Sequence, residues 1–229
     1  PQDANALSAA LKVRETWGGE LTVVTMGPPG AETVLRECLA LGADHAVLVT
    51  DRAFGSADTL ATSYTIRAAA STLGDFDMIF CGKESLDGAT GQMGAQLAQR
   101  FDCALVSSAL LIKEVDEQAR TAVADRRLET GVETLEVRLP ALFTVEKPNY
   151  PTRIPSLKGK LAAKKAAVTV ITSQDIPGLD TSRIGDPGSP TKVPRMFPPL
   201  LPEPGVIIDE GSAEASAARL LRIIAEQRS

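Results

Sequence analysis

Phe76-Asp77-Met78-Ile79-Phe80-Cys81-Gly82-Lys83-Glu84-Ser85-Leu86-Asp87-Gly88-Ala89-Thr90-Gly91-Gln92 reads as a strand, a glycine-bearing loop and the front of a helix. The apolar run at 76–81 predicts the strand, and helical spacing predicts a helix over about 90–101. The unit decides the fold because it recurs upstream. A buried-type strand at 21–26 is followed by Gly27-Pro28-Pro29-Gly30 and a helix over 31–41. That helix turns Val34, Leu35, Cys38 and Leu39 inward, and Gly42 stops it. A strand at 46–50, a loop at 51–56 and a helix over 57–73 complete the series. Ahead of them all runs a helix that Asp3 can cap, reaching Thr16 before Gly18-Gly19. Apolar strands alternating with helices predict a doubly wound, mostly parallel α/β sheet covered on both faces. Such a sheet should open with a strand, and here a helix comes first. A missing first strand upstream of Pro1 is therefore expected.

The pattern changes after Ala104. Residues 110–115, 121–128, 134–139 and 141–145 read as strands of an added antiparallel region. Leu135, Val137 and Leu139 alternate with Glu136 and Arg138, as on a half-exposed sheet. Residues 156–167 are basic and weakly helical. Residues 177–205 carry more than half of the fifteen prolines. Such a stretch builds no core of its own and is expected as an extended arm lying on another surface. Gly211-Ser212 then opens a last helix with Leu220, Leu221, Ile223 and Ile224 on one side. The expected division is a nucleotide-binding α/β domain at 1–176, and an arm with its helix at 177–229.

Composition excludes several functions. The 229-residue chain has formal charge −5 and short basic clusters, so it carries no nucleic-acid footprint. No apolar run approaches the ~20 residues of a membrane span, and no secretory signal is visible. The three cysteines, Cys38, Cys81 and Cys103, lack metal-ligand spacing and read as free thiols in a reducing compartment. The single histidine, His45, joins no nucleophile or acid–base set.

The loop at 82–92 is the best candidate site. A helix front exposes unpaired N–H groups and partial positive charge, which suits phosphate. Gly88 and Gly91 allow close approach, and Thr90 can cap the helix or bond an oxygen. An ordinary strand-to-helix turn remains the alternative, and the spacing is not that of a Walker A loop. Met26-Gly27-Pro28-Pro29 and Phe54-Gly55-Ser56-Ala57-Asp58-Thr59 occupy equivalent places after their strands and could rim the same pocket. Lys158, Lys160, Lys164 and Lys165 surround Leu157 and Leu161. They form either a solvated face or a docking loop with an apolar anchor ringed by charge.

Together these residues resemble the electron-transfer flavoprotein beta subunit over nearly the whole chain. Pro1-Gln2-Asp3-Ala4-Asn5-Ala6-Leu7 is similar to the start of that family's first helix. Met26-Gly27-Pro28-Pro29, the run from Arg36 to Asp44, the Asp87–Gln92 loop, Ser156 to Lys165 and Gly188-Ser189-Pro190-Thr191-Lys192-Val193 follow in the family's order. The resemblance implies a Rossmann-like fold of the adenine nucleotide alpha hydrolase type. It implies a heterodimer whose alpha subunit holds FAD while the beta subunit binds AMP, in a bacterial cytoplasm. By the same resemblance Pro1, Gln2, Asp3, Met26, Gly27, Asp58, Thr59, Thr62, Asp87, Gly88, Ala89, Thr90, Gly91, Gln92, Met93 and Gly94 would line the nucleotide site. Leu157, Lys158, Lys160 and Leu161 would dock an acyl-CoA dehydrogenase or similar flavoenzyme. The family begins earlier, with a strand and a loop.

One branch of the family bifurcates electrons and holds a second FAD in place of AMP. Asp51 to Ser63 resembles that branch and favours FAD. Ala89 and Gly91 depart from it, standing where its loop has Asp and Ala. Such a subunit carries electrons and needs no acid–base machinery of its own. Two other readings stand beside this one. The first is a stand-alone adenine-nucleotide-binding protein of the universal-stress type, and the second is an enzyme such as a nucleotide transferase. The partnerless arm weighs against the first, and the missing catalytic set against the second.

Overall fold

A computed structural model of the protein describes residues 2–86, 88–147, 153–195, 197–198, 200 and 205–227. The chain divides into two compact units, one ending at Lys192 and one starting at Val193. The prolines and glycines of 177–192 lie on the α/β unit, where Ile184 and Ser189 are buried.

The first unit alternates α1 (Gln2–Trp17), β1 (Thr22–Met26), α2 (Glu32–Leu41), β2 (His45–Val49), α3 (Thr59–Ala70), β3 (Met78–Gly82) and α4 (Met93–Phe101). Strands β4 (Ala104–Asp116), β5 (Thr121–Leu128), β6 (Gly131–Arg138) and β7 (Ala141–Val145) follow, then α5 (Leu157–Lys165) and β8 (Thr169–Ile171). The strands form two sheets, one ordered β1-β2-β8 and the other β3-β7-β4-β5-β6. The first is all parallel. In the second, β7 runs parallel to both β3 and β4, while β5 and β6 add antiparallel strands. The expected class, α/β with a parallel core and an antiparallel addition, is the one observed.

Alternation explains why both faces are covered. On β7, Ala141, Phe143 and Val145 turn to α1, where they meet Ala6, Ala9 and Val13. Leu142 turns the other way, onto Leu97 and Ala98 of α4. All five β7 residues are buried. In the smaller sheet, Val47 and Val49 pack with Phe54, Ala69, Ile171 and Ile184, while Ala46 and Leu48 pack on Leu35 of α2. Arg14 of α1 reaches the smaller sheet, donating to Asp44 Oδ2 at 2.8 Å.

Several boundaries differ from the pattern-based expectation. Helix α4 starts at Met93 rather than Thr90, because Ala89 and Gly91 sit at φ 47° and 61° and interrupt the helical backbone. Asp3 lies inside α1 and caps nothing; its carboxylate accepts from the Gly82 amide at 2.8 Å. Val34 is exposed, since Ala31, Leu35 and Leu39 define the buried stripe of α2. Strand β8 has no signal in the sequence: three residues leave no readable period, and their partner β2 lies far away in sequence.

In the second unit, α6 (Ala213–Glu226) is capped by Ser212, which accepts from the Ala215 amide at 3.2 Å. Leu220, Leu221 and Ile224 on its apolar side are exposed. Among the described residues no helix is long and apolar enough to cross a membrane.

Candidate functional site

The site is built where strands end and helices begin. At the end of β3 the chain meets the front of α1 so closely that a Cβ on Gly82 would fall 2.7 Å from Gln2 Cβ and 2.9 Å from the Asp3 amide nitrogen. Only glycine fits there, and the Gly82–Asp3 hydrogen bond fixes the contact. The end of β1 lies beside that of β2, with the Gly27 amide donating to the Val49 carbonyl at 3.1 Å.

The fronts of α3 and α4 are joined through three side chains. Thr59 Oγ1 donates to Gln92 Oε1 at 3.0 Å and accepts from Gln96 Nε2 at 3.2 Å. Gln96 Oε1 is buried with no hydrogen-bond partner. A buried amide oxygen left unbonded costs about 1–3 kcal/mol, so such an atom calls for a donor from elsewhere. Beside it, Gly88, Ala89, Thr90, Gly91 and Gln92 are exposed, and Gln92 begins α4 without a side-chain cap. This exposed helix front stands at the positive end of the helix dipole, and within it the Gly88 and Gln92 amides donate to Ser85 Oγ and Thr90 Oγ1, at 3.3 and 3.5 Å.

Asp58 serves a different purpose. One of its oxygens caps α3 through the Leu60 and Ala61 amides, at 2.9 and 3.0 Å, and the other accepts from the Thr191 amide at 3.1 Å. Burial pushes this carboxyl up, but the amides of Ala61, Thr191 and Leu60, with the Thr191 hydroxyl, outweigh it and hold it below the usual carboxylate range. The Asp58 amide donates to the buried Ser189 Oγ at 2.8 Å. Residues 189–191 thus brace the α3 front, a role invisible in the sequence.

The remaining candidates divide clearly. Gln2 and Asp3 stand at the β3 end, Thr62 sits one turn into α3, and Thr59 and Gln92 meet. Met26 and Met93 pack into the two cores, and Gly94 is buried against Thr144. Pro1 and Asp87 lie outside the described residues. Gln96 joins the group as well, its i+4 spacing from Gln92 putting both on one face of α4. Nearby Cys81 is pushed up to about 12, chiefly by burial and secondarily by the Asp3 charge, so it stays a thiol.

Helix α5 lies apart from this group. Ser156 caps it and Ala163 is buried beneath it. A Cβ on Gly159 would fall 2.5 Å from the Ala40 carbonyl, which presses α5 onto α2. Arg36 donates to the carbonyls of Ala163 and Ala166, at 2.7 and 3.3 Å, satisfying the end of α5. Leu157 and Leu161 remain 76% and 54% exposed among Lys158, Lys160, Lys164 and Lys165.

The electron transfer flavoprotein domain matches residues 1–176. The chain belongs to the electron transfer flavoprotein family. Protein FixA of Bradyrhizobium diazoefficiens is 41% identical over 98% of this chain and 79% of its own length. The electron transfer flavoprotein subunit beta of Thermoanaerobacterium thermosaccharolyticum is 40% identical over 94% of this chain and 81% of its own. Caffeyl-CoA reductase-Etf complex subunit CarD of Acetobacterium woodii is 39% identical over 99% and 83%. Within the family the chain is a beta subunit, and its role is electron transfer. Electron transfer flavoprotein beta subunits are electron carriers that pair with an alpha subunit and with flavoenzymes, and the family binds flavin or adenylate.

Proposed function

We propose that this beta subunit holds the adenylate part of a second FAD at the joined fronts of α3 and α4, and relays electrons between a donor and an acyl-CoA dehydrogenase-type flavoenzyme in the bacterial cytoplasm. The observation that carries the reading is the buried, unpartnered Gln96 Oε1 at the front of α4, where Ala89, Thr90 and Gly91 are exposed. Those groups fit a ligand that brings both phosphate oxygens and hydroxyl donors. In this reading the helix fronts bind phosphate, Thr59 and Gln92 orient the ligand, and Gly82 with Asp3 fixes the neighbouring wall. A bound flavin supplies the redox chemistry, so the chain's own part is to position it and not to catalyse. The similarity of Asp51–Ser63 to the bifurcating branch favours FAD over AMP.

The remaining parts find their place in the same scheme. The 1–176 region forms the nucleotide domain, and the exposed apolar side of α6 is covered by the alpha subunit. The exposed Leu157 and Leu161, ringed by lysines, dock the acceptor.

Two measurements test this. Purified with its alpha subunit and extracted, the protein should release two FAD per heterodimer. One FAD plus one AMP would move the beta site to adenylate, and FAD with no second nucleotide would end the reading. Separately, Leu157→Ala should raise the acceptor KM roughly fivefold or more while flavin content stays constant. Flavin loss with an unchanged KM would show that α5 does not dock the acceptor.

A further inference from the structure

A recess of about 290 Å³ opens between α3, α4 and residues 182–190, lined by Leu60, Tyr64, Arg100, Arg183 and Ser189 among others. Two guanidiniums converge on one ring. Arg183 Cζ lies 4.2 Å and Arg100 Cζ 5.5 Å from the Tyr64 centroid. Arg100 is held in place, with Nε donating to Ser63 Oγ at 2.8 Å and a terminal nitrogen to the Leu60 carbonyl at 3.0 Å. Tyr64 is held too, its hydroxyl accepting from the Asp180 amide at 3.0 Å.

Among the described residues neither arginine has a carboxylate within ion-pair distance. Of the nearby acids, Asp180 accepts from the Ser182 amide and hydroxyl and feels the Arg183 charge without forming an ion pair, and Asp186 pairs with Lys192 at 3.2 Å. Burial and the neighbouring Arg183 charge both push the Arg100 pKa down. Two like charges against one ring, the Arg183 charge lowering the Arg100 pKa, repel one another, and an anion bound between them would relieve that repulsion.

We propose that this recess is an oxyanion site that takes the phosphate group of a small ligand. A phosphate dianion matches two guanidiniums in charge and offers the oxygens that their planar donors bond best. The Tyr64 ring packs against both guanidiniums, and the donors of Arg183, with the Arg100 nitrogen not bonded to Ser63 or Leu60, remain for the ligand. The site shares no residue with the Thr59–Gln92–Gln96 group, so it stands whether or not a nucleotide binds there.

The test uses the full chain purified with its alpha subunit and titrated with inorganic phosphate by calorimetry at constant ionic strength. Wild type should bind phosphate, and Arg183→Gln should bind it about tenfold more weakly. The Arg183 side chain is exposed and forms no ion pair or side-chain hydrogen bond among the described residues, so its variant should keep the wild-type melting temperature to within a few degrees. Arg100→Gln should weaken binding equally, with some loss of stability from its bonds to α3. Sodium chloride at the same ionic strength should give no heat. Phosphate binding unchanged in Arg183→Gln overturns the proposal, as does an equal response to chloride. Acetate binding as tightly as phosphate would assign the recess to carboxylates and overturn the phosphate reading.

Discussion

Gly94→Ala should destabilise the α/β unit by about 1–3 kcal/mol in urea unfolding, and Thr144→Ser in the same chain should restore most of that loss. A Cβ at residue 94 would stand 2.2 Å from Thr144 Cγ2, against 3.5 Å from Thr144 Cβ and 3.4 Å from Cys81 Sγ. The clash is thus with one methyl group. Thr144 cannot simply rotate it away, because its Oγ1 accepts from the Ser108 amide at 2.9 Å, in a strand buried along its whole length. Helix α4 must lift off β7 instead, taking Leu97 and Ala98 off Leu142. Serine removes the methyl and keeps the oxygen. A double variant no more stable than Gly94→Ala would mean that the helix, and not Thr144, resists the added atom.

Gly91→Val should lower nucleotide retention by roughly five- to thirtyfold while leaving the melting temperature of the nucleotide-free protein almost unchanged. Residue 91 has φ 61°, and a β-branched side chain there costs about 1–2 kcal/mol. Space is not the obstacle, since the nearest atom to a new Cβ is the Lys83 carbonyl oxygen at 3.9 Å. The exposed loop would relax to another backbone, and binding would have to restore the first. Gly91→Asn, which tolerates this region better, should retain nucleotide. Full retention by the valine variant would show that the front of α4 does not grip the ligand.

Much of this was legible in the residues. Alternating apolar runs and helices gave the α/β class, because burial on both faces demands continuous apolar strands such as Val47-Leu48-Val49. Gly42 ends α2 and Ser156 starts α5, because capping is a local matter of backbone angle and one side chain. The loop at 82–92 stood out for the same local reason.

What lay beyond reading was every contact between distant residues. Strand β8 exists because β2 offers it an edge, and Asp3 bonds Gly82 because two elements 79 positions apart converge. Gln96 became a candidate only once burial left its oxygen without a partner. Arg100 and Arg183 are unremarkable in sequence and meet on Tyr64 only in the fold. The sequence by itself determined periodicity, caps and turns, which depend on forces acting over a few residues. The tertiary structure alone decided which polar atoms lost their water and which charges were left unpaired, because desolvation and Coulomb energy depend on distance in space and not along the chain.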